Sequence, residues 1–150
     1  MADSDRIEKE IVVRAPRSRV WRALTSSREF GEWFRCQFDD EFAVGKVMRG
    51  RITHAGFEHV TMEITIERMD AEELFSFRWH PYALDPKVDY SSEPPTLIEF
   101  RLRDAEGGTH LRVVESGFDG IPEWRRSEAF RMNEHGWTAQ MENIRTHVER

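Results

Sequence analysis

The C-terminal quarter of this chain constrains the fold most. From Phe130 onward, Phe130, Trp137, Met141, Ile144 and Val148 follow one another at spacings of 7, 4, 3 and 4. Those intervals put them on one stripe of a helix. Pro122 suits a helix start, and the helix is predicted from about Glu123 to His147. A helix this apolar along one side must lie on an apolar surface.

The rest of the chain reads mostly as strands. Ile7 to Arg14 mixes charged and apolar residues as a half-buried strand, broken by Ala15-Pro16. Val20, Trp21 and Leu24 then form the apolar face of a short helix. Thr25-Ser26-Ser27 ends it and offers an N-cap for a second, Ser27 to Trp33, with Phe30, Trp33 and Phe34 as its apolar residues. Phe42 to Lys46 reads as a strand end and turn, and Val47 to His54 as a strand. Val60, Met62, Ile64 and Ile66 alternate with polar residues, the clearest strand pattern in the chain. Leu74 to His80 follows, with Phe75, Phe77 and Trp79 on one face. Leu97 to Arg103 and His110 to Ser116 are the last two strands, joined by a turn at Gly107-Gly108. Between Pro81 and Pro95 lie fifteen residues with four prolines and little pattern, a length that marks a functional loop.

Composition excludes several classes. A chain of 150 residues fits one domain, residues 1–150, with a core of its own. The formal net charge of −6 argues against nucleic acid or an anionic membrane as the main partner. One cysteine, Cys36, allows neither an internal disulfide nor a thiolate metal cluster. No stretch approaches a membrane span, and the N-terminus has no apolar signal core, so a cytoplasmic protein is expected.

The order of elements, with these residues, resembles the helix-grip fold of the START-like (SRPBCC) superfamily. Within it, the chain resembles the family of activator of heat-shock protein 90 ATPase homologues, in the bacterial single-domain form. Four stretches carry the likeness. They are Ala15-Pro16-Arg17-Ser18-Arg19-Val20-Trp21-Arg22-Ala23-Leu24-Thr25, Glu32-Trp33-Phe34, Glu115-Ser116-Gly117-Phe118, and Gly136-Trp137 followed by Met141 and Ile144. Val44-Gly45 stands where the family often has two glycines. The resemblance implies an α+β helix-grip fold: a curved antiparallel sheet of six or seven strands wrapped on a long C-terminal helix, with two short helices after strand 1.

A sheet gripping a helix leaves space between the two, and small-molecule sites are concave and mostly apolar. The expected lining is Met62, Ile64, Phe77, Trp79 and Phe100 from the sheet, Phe130, Trp137 and Met141 from the helix, and Trp33 beside them. The same residues also suit a filled core. The expected function is binding of a small apolar or aromatic molecule in that cavity. The alternatives are a stress- or chaperone-associated protein-interaction module, which the family name implies, and a cavity enzyme of cyclase or hydrolase type. Glu115 and His80 are the only acid–base candidates, and the balance leans away from an enzyme. Six scattered histidines form no ligand triad, so no metal and no cofactor are expected. The charged residues Arg78, Glu99, Arg101, Arg103, Arg112 and Glu115 are expected on the solvent face of the sheet. A monomer or homodimer is expected, with the Pro81–Pro95 loop as a partial lid or a subunit contact.

Overall fold

A computed structural model describes residues 5–85 and 87–150. One antiparallel sheet of seven strands holds the molecule together, in the order β1-β7-β6-β5-β4-β3-β2. The strands are β1 (Arg6–Val13), β2 (Cys36–Phe38), β3 (Val47–Ile52), β4 (Thr61–Asp70), β5 (Leu74–Trp79), β6 (Thr96–Ala105) and β7 (Gly108–Ser116). Two short helices, α1 (Arg17–Thr25) and α2 (Ser27–Phe34), follow β1, and α3 (Glu123–Val148) closes the chain. This is the helix-grip arrangement. No helix among the described residues is long and apolar enough to cross a membrane.

Local chemistry explains the junctions. Ser26 caps α2, its hydroxyl accepting from the Glu29 N–H at 3.3 Å. Arg35 ends α2 in the left-handed conformation, and β2 begins at once. Gly31 allows that tight return, because a Cβ there would stand 2.3 Å from the Cys36 carbonyl oxygen. The sequence pattern misses β2. It has three residues, Cys36↔Ile52 to Phe38↔Gly50 in register, and the acidic run Asp39-Asp40-Glu41 follows directly. Phe42 to Lys46, expected as a strand end and turn, contains no strand residue; it is the link to β3, turning at Gly45 with φ +84°. The β6–β7 hairpin turns at Gly107 as expected, with φ +77°.

The core lies between the concave sheet face and the three helices. Phe30 of α2 is its aromatic hub, with ring centroids 4.6 Å from Trp33, 5.5 Å from Phe42 and 6.0 Å from Phe77. The α3 stripe of Trp137, Met141, Ile144 and Val148 is buried as the spacing requires. Ala129, Arg125 and His147 are buried with it. On the outer face, Arg78 pairs with Glu67, Arg101 with Glu99 and Arg112 with Glu8.

The buried Glu29 ties α2 to its neighbours. It accepts from Arg19 at 2.6 Å, Arg22 at 2.8 Å and the His147 Nε2–H at 2.8 Å. Burial opposes its charge, yet the hydrogen bonds from His147 and Arg19 prevail and hold its pKa down at about 2, against 4.5 for a free side chain. A depressed carboxylate stabilises the fold above its unfolded pKa, and that contribution is lost as pH falls towards the folded value. The stability difference between wild type and Glu29→Gln is therefore expected to shrink as pH falls from 4.5 to about 2. Urea unfolding across that range measures it; a difference independent of pH would contradict the pairing. Trp137→Ala is expected to cost about 3–5 kcal/mol, read from the same unfolding curves.

Candidate functional site

Glu115 is the residue whose position departs most from expectation. It was expected on the solvent face of the sheet, but it is fully buried under α3. The reason is strand parity. Leu111 and Val113 point into the core, and Glu115 is the next residue of that set.

Four donors surround its carboxylate. Oε2 accepts from the Trp79 indole N–H at 2.7 Å and the Thr96 hydroxyl at 2.5 Å. Oε1 accepts from the Trp137 indole N–H at 2.8 Å and the Asn133 amide at 2.8 Å. All four partners are neutral, and among the described residues no cation pairs with the group. Burial pushes the Glu115 carboxyl above the usual carboxylate range, and the bonds from Thr96, Trp79, Trp137 and Asn133 oppose that shift. An indole N–H is a donor only, whereas a hydroxyl can also accept. Rotation of the Thr96 hydroxyl would thus accommodate a protonated Oε2 without orphaning either indole. With its oxygens so occupied, Glu115 offers no free lone pair to act as a base on a ligand.

Above this cluster lies a pocket of about 110 Å³, lined by Phe34, Trp79, Asn133, Gly136, Trp137 and Gln140. Its floor is the stacked pair Trp79 and Trp137, with centroids 5.7 Å apart and planes at 23°. A Cβ built on Gly136 would meet nothing within 4 Å, so the backbone of α3 is itself open here.

Of the nine expected lining residues, Trp79 and Trp137 border this pocket. Ile64, Phe77, Phe100 and Met141 are packed in the core, at 0–2% exposure. Trp33 is also in the core, and its indole N–H donates to the Ala23 carbonyl at 2.8 Å. Met62 and Phe130 are half-buried, Phe130 against Phe118 at 5.1 Å. Phe34, Asn133, Gly136 and Gln140 were not in the expected set. Asn133 and Gly136 precede Trp137 by four residues and by one, and polar or missing side chains carry no apolar signal. His80 lies apart from the cluster and donates from Nε2 to the Glu93 carbonyl at 2.8 Å. Cys36 is buried, which pushes its thiol up to about 12 and leaves it unsuited as a nucleophile.

The Pro81–Pro95 loop is held by one buried arginine. Arg125 of α3 donates to both Glu93 oxygens at 2.6–3.1 Å and to the Pro81 carbonyl at 2.8 Å. The loop docks on the first turns of α3, and none of its described residues lines the 110 Å³ pocket.

Residues 14–149 match the family described as Activator of Hsp90 ATPase homolog 1-like protein. No functionally curated protein matches the chain. Among solved structures it is similar to protein MLL2253 from Mesorhizobium loti, with TM-score 0.75, 22% identity, and 95% of this chain and 96% of that one covered. It is similar to protein BH1534 from Bacillus halodurans, with TM-score 0.71, 22% identity and 96% of each chain covered. It is also similar to the Aha1 dimer from Colwellia psychrerythraea, with TM-score 0.72, 14% identity and 96% of each chain covered. At these identities the likeness establishes the fold.

Glu115→Gln is expected to destabilise the protein at neutral pH. Its amide nitrogen must face either Trp79 or Trp137, leaving one indole N–H without an acceptor, at a cost of about 1–3 kcal/mol. Because the folded pKa of Glu115 is raised, its own contribution to stability is fully present below 4.5 and is lost as pH rises through the folded value. Glu115→Gln lacks that dependence, so the gap between the two proteins is expected to be widest in acid. Thermal unfolding that is identical for the two proteins would contradict this assignment.

Proposed function

The chain belongs to the Activator of Hsp90 ATPase homolog 1-like protein family, and from that premise we propose that it binds a small flat aromatic or apolar molecule between sheet and C-terminal helix. The observation that carries this reading is the pocket over the Trp79–Trp137 stack. Small-molecule sites combine apolar walls with a few placed polar groups, and here Asn133 and Gln140 supply the polar edge.

Size decides the class of ligand. A cavity of about 150 Å³ can take up benzene, and this pocket is about 110 Å³. One ring seats against the partly exposed Trp79 and the small accessible part of Trp137, with its edge towards solvent. A larger ligand requires Phe34 or Trp79 to move, and both are only partly buried.

The two indoles also connect the pocket to Glu115. Each has its N–H fixed on the carboxylate, so the floor of the site presents ring faces and edges rather than free donors. This favours stacking over hydrogen bonding as the basis of recognition.

A panel of one- and two-ring aromatics, followed by NMR, tests the reading. Saturable shifts at the Trp79 and Trp137 indoles are expected, with affinities between about 1 mM and 1 μM, or −4 to −8 kcal/mol. Gly136→Leu projects a side chain into the open space and is expected to abolish those shifts while retaining the fold. Absence of shifts at both indoles across the panel would contradict the proposal.

A further inference from the structure

A second groove, of about 410 Å³, lies some way along α3 between its first turns and the docked loop. Its walls are Tyr82, Leu84 and Tyr90 from the loop and Trp124 from α3, with the carboxylates of Asp85 and Glu128 beside them. Trp124 is 69% exposed, the most exposed large apolar residue among those described. An exposed tryptophan flanked by two tyrosines and two acids has no role in holding the core.

We propose that this groove is a binding site for a small organic cation of the quaternary or alkylated ammonium class. Aromatic faces attract such cations through the ring quadrupole, and tryptophan does so best. The local charges fit. Arg125 reaches the groove, but its guanidinium is paired with the buried Glu93, at 2.6 Å, and leaves no free positive charge. The same guanidinium lies 4.6 Å from the Tyr90 ring centroid, so this aromatic set already holds one cation inside the protein. Asp85 and Glu128 remain as negative groups, both exposed.

Two features oppose a cation here. The N-terminal end of α3 carries the equivalent of about half a positive charge, set against two full carboxylates. Arg131, whose charge reaches Tyr82, is exposed and screened by solvent. An anion would meet both carboxylates, and a neutral apolar molecule would gain nothing from them. The groove therefore selects a cation with a large apolar surface.

Choline and its neutral isostere 3,3-dimethylbutan-1-ol separate charge from shape. Choline is expected to give saturable shifts of the Trp124 indole and of the Tyr82 and Tyr90 ring signals. The isostere is expected to bind at least about tenfold more weakly. Trp124→Ala is expected to weaken choline binding about two- to fivefold, the size of one cation–π contact at an exposed site. Trp124 is exposed, so this variant is expected to fold normally, checked by circular dichroism. Glu128→Gln keeps the shape and is expected to weaken choline while leaving the isostere unchanged. Equal binding of choline and isostere, or choline binding unaffected by Trp124→Ala, or no choline shifts, would overturn the proposal.

Discussion

Four neutral donors meet on the carboxylate of Glu115, and they come from every layer of the molecule. Glu115 is on β7, Trp79 on β5, Thr96 on β6, and Asn133 and Trp137 on α3. Burying a carboxylate with no cation beside it costs several kcal/mol, and only hydrogen bonds of good geometry offset that. The consequence is positional. Neither indole can turn without taking its N–H off the carboxylate and leaving it unpaired. The Trp79–Trp137 stack, which floors the pocket, is thus held by the acid beneath it as well as by its own ring contact.

The same logic recurs along α3. Near its start, Arg125 fixes the proline-rich loop through Glu93. In its middle, Trp137 and Asn133 meet Glu115. Near its end, His147 meets Glu29 of α2, and Glu149 accepts the Arg14 N–H at 2.8 Å. At 1.5 Å per residue the span from Arg125 to His147 is about 33 Å. Apolar burial holds the helix against the sheet without fixing its register, because it is non-directional. The polar contacts specify the register. Two of the grooves on this helix lie beside such contacts, one over Glu115 and one over the Arg125–Glu93 pair.

Much of this architecture was legible in the sequence, where periodicity was long and clean. The stripe from Trp137 to Val148, the alternation from Val60 to Ile66 and the aromatic face of β5 all place their residues correctly. Glu115 is missed because a charged residue is assigned to water by its type. Parity from Leu111 and Val113 reaches Glu115, and steps of four back from Trp137 reach Asn133, Ala129 and Arg125. The pattern held these positions, but a polar side chain weakens the apolar signal that reads it. β2 failed differently, since three residues are too few for any period. The pocket was invisible because space depends on how large side chains interlock, and Ile64, Phe77, Phe100 and Met141 fill most of what the helix-grip plan leaves open.

The central claim is that the Glu115 carboxylate holds both indoles. Hydrogen exchange of the two indole N–H protons, followed by NMR on the wild-type protein, tests it most directly. The account predicts that the Trp79 and Trp137 indole protons exchange slowly, at a rate close to that of the β6 and β7 amides, although Trp79 is only partly buried. Rapid exchange of either proton, while the neighbouring strand amides stay protected, would contradict it.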